Sequence, residues 1–238
     1  MSNVLGIFKR ELRSYFSSPI AYIFMVVFLL LASWFFFRGY FLYAQADLRP
    51  FFSLLPWMFL FFVPAVAMRL WSEERKLGTL ELLMTLPVRD EEVILGKFLA
   101  GLSLITMTVL LAFPLVLVTA RLGDIDMGPV IGGFVGSVFL GGAYLAIGLF
   151  ISSLTENQIV AFILGVVACF ALFIVGENMV LFAAPASLAP LLHWLGLGAH
   201  FQSIGRGVID SRDVLYYLTV IGFFLYLNRV SLAGRRWA

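Results

Sequence analysis

Apolar residues run along this chain in long charge-free blocks separated by short polar stretches, and the blocks define the elements. A helix needs ~20 mostly apolar residues to cross a bilayer, with a range of ~17–25. Open strands cannot sit in lipid with unpaired backbone groups. The blocks therefore predict six membrane-spanning helices, over 20–37, 50–68, 98–120, 127–155, 157–176 and 214–232. Arg38 ends the first, Arg49 and Arg69 bracket the second, and Glu156 and Glu177 bracket the fifth. The last runs past Arg229, whose long stem lets its charge reach the interface.

One more charge-free block, 178–205, holds Pro185, Pro190, Gly196 and Gly198, which break a helix. It reads as short helices dipping part-way in from the outer face and returning, within an outer loop over 177–213. Both chain ends are basic, with Lys9, Arg10 and Arg13 at one and Arg229, Arg235 and Arg236 at the other. The bias of Lys and Arg toward the cytoplasm then places both ends inside, which requires an even number of spans. Eleven of the sixteen Lys and Arg fall inside on this topology and five outside, and all three lysines are inside. Ahead of the first span, Val4, Leu5, Phe8, Leu12, Tyr15 and Phe16 recur at helical spacing, with Lys9, Arg10, Glu11 and Arg13 between them. Residues 1–18 thus read as an amphipathic helix lying in the cytoplasmic interface, not as a cleaved signal. The fold class expected is an all-α membrane protein, with one transmembrane domain over 1–238.

Composition agrees with the bilayer as solvent. The chain is 62% hydrophobic with a mean hydropathy of +1.01, far more apolar surface than one soluble core hides. A net charge of +2 gives no electrostatic support to a nucleic-acid partner. The one cysteine, Cys169, lies in an apolar run and reads as a buried thiol.

The chemistry of an enzyme is missing from the pattern. No G-x-x-x-x-G-K-[ST] occurs, and Gly96-Lys97 follows Val-Ile-Leu, so no nucleotide phosphate is cradled here. His193 and His200 stand seven apart in the outer loop with no clear carboxylate or thiol partner, a poor metal site. No catalytic residue, metal or cofactor is expected in this chain. The spans also lack internal Asp, Glu, Lys and Arg, which a proton- or ion-driven carrier ordinarily keeps. Energy for any transport is expected from outside the chain.

The charge that the spans lack is concentrated in residues 69–97, where eleven of twenty-nine residues are charged. Residues 70–77 continue the second span, with Arg75 and Lys76 in the last turn, where cations favour the negative end of a helix dipole. Gly78 is a left-handed stop, and Thr79 caps a short helix over 80–86 with Glu81 in its first turn. Pro87 ends that helix; Asp90 caps the third span, with Glu91 and Glu92 following, and Lys97 marks the membrane surface. A helix this short is unstable alone. Its apolar residues Leu80, Leu82, Leu83 and Met84 must pack on headgroups or dock in the groove of a cytoplasmic partner.

The pattern Glu74-x-x-x-Gly78-Thr79-Leu80-Glu81-Leu82-Leu83-x-x-Leu86-Pro87, followed by Gly96-Lys97, resembles the permeases of the type-2 (ABC-2) exporter superfamily. It is most similar to the small bacterial branch that includes gliding-motility-associated permeases. HFQSIGRGVIDSRDVLYYL over 200–218 and FKRELRSYFSSPIAYI over 8–23 are similar to that branch's segment before the last span and its entry helix. The resemblance implies six spans, an amphipathic entry helix, and a coupling helix between spans two and three. It implies that such chains pair as dimers, with a second copy or a related permease. It also implies two separate ATPase subunits, which hold the ATP and Mg. Carried over, Glu74, Gly78, Thr79, Leu80, Glu81, Leu82, Leu83, Leu86 and Pro87 form the coupling element. Thr155, Glu156 and Asn157, in the turn over 152–158, form a smaller second contact.

Gly128, Gly132 and Gly136 recur every fourth residue and allow close helix approach, either between two subunits or within one. The function implied is that of a permease subunit of an ABC exporter-type complex in a bacterial inner membrane. Two alternatives remain open. One is a scaffold that passes ATPase motion to an auxiliary extracytoplasmic partner, docked on 184–213; the other is a stand-alone secondary transporter.

Overall fold

Prolines and small polar residues at the block edges set where the helices start and stop. A computed structural model describes residues 2–43, 47–80 and 88–233, and among them every regular element is a helix. The order is α1 (Ser2–Ser17), α2 (Pro19–Tyr43), α3 (Arg49–Ala67), α4 (Arg69–Lys76), α5 (Asp90–Leu110), α6 (Phe113–Leu122), α7 (Met127–Leu154), α8 (Gln158–Ile174), α9 (Asn178–Ala183), α10 (Ala189–Leu195), α11 (Leu197–Gly205) and α12 (Ser211–Ala233).

Five stretches are long and apolar enough to cross a membrane: Pro19–Tyr40, Arg49–Lys76, Asp90–Leu122, Met127–Leu154 and Ser211–Ala233. The expected fifth span is a shorter apolar helix, α8, of 17 residues, at the lower end of the ~17–25 that a crossing requires. Asn157 starts α8 by accepting from the backbone N–H of Ile159 at 2.9 Å and Val160 at 3.4 Å. Asp126 starts α7 in the same way, accepting from Gly128 N–H at 3.1 Å.

Several boundaries differ from the sequence reading. Arg38 does not end the first span, since α2 carries it on an exposed face and continues to Tyr43. Arg89, not Asp90, stands at the cap of α5, and Glu92 reaches back to accept from its N–H at 3.1 Å. The third span is offset at Leu111 and Ala112. Pro114, in the first turn of α6, lacks the N–H that would bond back to residue 110, so one helix gives way to two.

α7 is the central helix and packs against α3, α5, α8, α11 and α12. Its middle turns, including Leu140, Ala143, Tyr144, Leu145 and Ile147, are completely buried. α2 stands at the periphery. It presents Phe28 to Phe59 and Phe62 of α3, while Leu30, Leu31, Trp34 and Phe35 face outward. The segment expected to be the outer loop holds the three short helices α9 to α11, broken near Pro185, Pro190 and Gly196 as the composition implies. Of these, α11 is wedged into the bundle through Leu197, Phe201 and Ile204.

α1 packs along the bundle. It runs beside the start of α5 in the same direction. Asn3 donates to Glu92 at 3.1 Å, Ile7 lies against Gly96, and Glu11 pairs with Lys97.

Candidate functional site

The loop between α4 and α5 has firmly built flanks. At the end of α4, Leu77 and Gly78 N–H donate to the carbonyls of Glu73 and Arg75. Gly78 then turns with φ +69°, which an L side chain rarely adopts. The Thr79 hydroxyl donates back to the Glu74 carbonyl at 3.2 Å and closes the terminus. Leu80 and, beyond the gap, Val88 are half-buried against the core. Glu81, Leu82, Leu83, Leu86 and Pro87, the rest of the expected coupling helix, lie outside the described residues.

Lys97 is not a solvated surface charge. It is 1% exposed and sits between two carboxylates, donating to Glu74 Oε1 at 2.9 Å and Glu11 Oε1 at 3.2 Å. Its ammonium also stands 5.0 Å above the Trp71 ring, a further stabilisation for a desolvated cation. Arg10 closes the cluster, 2.7 Å from Glu11 Oε1 and 3.3 Å from Glu74 Oε1. Burial pushes the Glu11 carboxyl up, but Lys97 and Arg10 together outweigh it and hold the group below its usual range. Two acids and two bases from α1, α4 and α5 thus form one hub at the root of the loop.

A signal for Glu11 exists in the sequence but is easily missed. Glu11 stands four residues after Ile7 and four before Tyr15, so it lies on the face of α1 that packs, not among the solvated charges. Tyr15 itself donates to the Val66 carbonyl of α3 at 3.4 Å.

The second cytoplasmic turn of the sequence reading joins the same assembly. Arg75 donates to the Ser153 carbonyl at 2.9 Å and to Glu156 Oε1 at 3.2 Å. Thr155 Oγ1 accepts from Asn157 N–H at 3.2 Å, and Asn157 is spent as the α8 cap. One turn earlier, Ser152 mends the break between α3 and α4. Its hydroxyl accepts from Trp71 and Ser72 N–H at 3.2 and 3.1 Å and donates to the Met68 carbonyl at 3.0 Å. α7 comes this close because residue 148 is glycine, where a Cβ would lie 2.6 Å from that of Ala67. Arg229 of α12 pairs with Glu91 of α5 at 2.7 Å. Five helices, α1, α4, α5, α7 and α12, are therefore cross-tied at one end of the bundle.

The glycine repeat faces inward at the opposite end. A Cβ on Gly132 would lie 2.3 Å from the Ile204 carbonyl, one on Gly136 3.2 Å from the Ile204 side chain, and one on Gly128 3.8 Å from Gly207. The repeat seats α11 on α7 within this chain.

His200 does have a carboxylate partner. Its Nδ1 is 2.6 Å from Asp213 Oδ1 and its Nε2 2.9 Å from the Trp194 carbonyl, while the ring stacks on Tyr216 at 3.9 Å. Gly207, with φ +94°, reverses the chain and brings the two residues together. His193 lies in the last turn of α10.

The site so built ties both flanks of the loop to neighbouring helices through ion pairs and hydrogen bonds. No curated protein matches the sequence. The model of the ABC-2 family transporter protein matches residues 5–227, nearly the whole of this helical bundle. The chain belongs to that family and is a multi-pass membrane component, the permease, of an ABC transporter.

Proposed function

We propose that the chain is the permease subunit of an ABC exporter-type complex in the cytoplasmic membrane of a bacterium, with both termini in the cytoplasm. Separate ATPase subunits, holding ATP and Mg, push on residues 78–88, and the push reaches the spans through the Lys97 hub. A second copy or a related permease completes the membrane part. The observation that carries this reading is that α4 and α5, which flank the loop, share one buried cation, Lys97, with α1. A loop that served only to join two spans would have no use for such a brace. Glu156, 68% exposed and bonded to Arg75, provides a second contact beside the first.

The test is charge reversal at the loop. Glu81→Lys, inserted and assembled with its ATPase, is expected to lose coupled ATPase stimulation. Unchanged coupled activity overturns the assignment, as does reproducible absence of any P-loop ATPase from the protein purified out of native membrane.

A second reading draws on α9 and α10. They expose Phe182, Met179 and Trp194 at the far end of the bundle, with Phe182 90% exposed. That patch suits an extracytoplasmic partner to which ATPase motion is passed without a transported cargo. A co-purifying extracytoplasmic subunit lost on Phe182→Ser would favour this reading over export.

A further inference from the structure

At the end of the bundle opposite Lys97, a cavity of about 670 Å³ lies between α3, the end of α8 and α11. Its wall is aromatic, with Trp57, Phe173 and Phe201, and the Trp57 and Phe173 rings meet edge-on with centroids 5.0 Å apart. Its rim is charged. Arg49 is the first residue of α3, Arg206 follows the end of α11, and Glu177 follows the end of α8. All three charges therefore stand at or just beyond helix ends. Trp57 lies about two turns into α3, ~12 Å deeper at ~1.5 Å per residue. Its indole is 48% exposed, so the deep part of the cavity opens sideways from the bundle.

Among the described residues, the two rim arginines are only loosely held. Arg49 stands 3.5 Å from Asp126 Oδ2 and 3.9 Å from Asp47 Oδ2, long for charge-assisted contacts of ~2.7–2.9 Å. Arg206 donates through Nε to the Gln202 carbonyl at 3.4 Å. Glu177 is held aside: it accepts from Gln202 Nε2 at 3.2 Å. It lies so close to Gly198 that a Cβ there would be 2.7 Å from its Oε1.

We propose that this cavity binds a membrane phospholipid, its phosphate on the Arg49 and Arg206 guanidiniums and an acyl chain along Trp57 and Phe173. Guanidiniums at headgroup level match a phosphodiester, which their fork-shaped donors bind in two-point fashion. A free phosphate would have no use for the aromatic wall beneath, and a bare hydrocarbon chain none for the two cations. Glu177 and Gln202 line the rim beside the arginines and offer hydrogen bonds to the headgroup's alcohol or amine. The inference is independent of how, or whether, an ATPase drives the chain.

The probe is phosphatidylglycerol brominated on its acyl chains, titrated into the full-length protein in phospholipid-depleted detergent micelles. Bromine quenches tryptophan at close range, so part of the quenching should vanish in Trp57→Phe. Arg49→Gln with Arg206→Gln should raise the concentration for half-maximal Trp57 quenching about tenfold or more, the loss expected for hydrogen bonds to charged groups. Brominated diacylglycerol, which lacks the phosphate, should be weaker by the same factor. Gly205→Leu supplies a variant independent of charge. Gly205 lines the cavity, and a Cβ there meets nothing within 4 Å, so the larger side chain fills the space and should abolish Trp57 quenching. Equal quenching by diacylglycerol, an unchanged midpoint in the arginine variant, or full quenching in Gly205→Leu would each overturn the proposal. Displacement of the lipid by inorganic phosphate alone at equal concentration would also overturn it, leaving a phosphate site without a chain.

Discussion

Lys97 shows how one residue changes meaning between sequence and structure. In the sequence it is the first cation before an apolar run. In the fold it is a buried ammonium whose two carboxylates come from helices far apart in the chain. Removing one member of a buried charged cluster leaves its partners facing one another, at a cost of about 3–5 kcal/mol. Lys97→Met should therefore lower the thermal midpoint of the purified protein markedly, because Glu11 and Glu74 are then left adjacent. Adding Glu11→Gln to Lys97→Met should recover part of the loss, and a double-mutant cycle on the two positions measures the coupling. Acid should act on the same hub. Glu11 is held below its usual value by Lys97 and Arg10, with Glu74 and Tyr15 the other titratable groups near it. Its contribution is complete above the ordinary carboxylate value of ~4.3 and is lost as pH falls through the lower folded value. Proteolysis within α1 should then accelerate at low pH in the native protein, and Glu11→Gln should cleave at a rate with a flatter pH dependence.

At the scale of elements, the pattern of blocks foretold long apolar helices and a broken segment over 178–205, because charge and proline act locally. The blocks could not tell that α1 lies along α5. Both are helical in any case, and only the third dimension brings position 7 onto position 96. Gly96 carried that information without revealing it. A Cβ at 96 would lie 2.7 Å from Ile7 Cγ2 and 3.3 Å from the Val4 carbonyl, so the Gly-Lys pair is the seat of α1 followed by its anchor. The same holds for Ser152, one more serine in an apolar run until α3 and α4 are placed against it. Gly96→Leu should thus lift α1 from α5 while leaving the spans inserted. With Ile7→Cys as reporter, thiol labelling should rise several-fold over the Gly96 parent. A rate unchanged by the leucine would mean that α1 is seated by something other than the contact at Gly96.

For the whole molecule, the two ends of the bundle differ in kind. One end is a lattice of ion pairs and hydrogen bonds joining five helices. The other carries the short helices α9 to α11, of which α11 is seated on the α7 glycines and borders the Trp57 cavity. The proposed coupling requires that the two ends face opposite sides of the membrane, which the long apolar stretches Arg49–Lys76 and Met127–Leu154 make possible. That arrangement has a direct test, since the only native cysteine, Cys169, is fully buried and should stay silent. Phe182→Cys, at a residue 90% exposed, and Leu77→Cys, at one 67% exposed, mark the two ends. A membrane-impermeant maleimide added to intact cells should label position 182 at once and position 77 only after permeabilisation. Labelling of position 77 in intact cells would put the Lys97 hub outside, beyond reach of any cytoplasmic ATPase. Labelling of both would mean that α8, an apolar helix of 17 residues, does not cross, leaving the chain with an odd number of crossings.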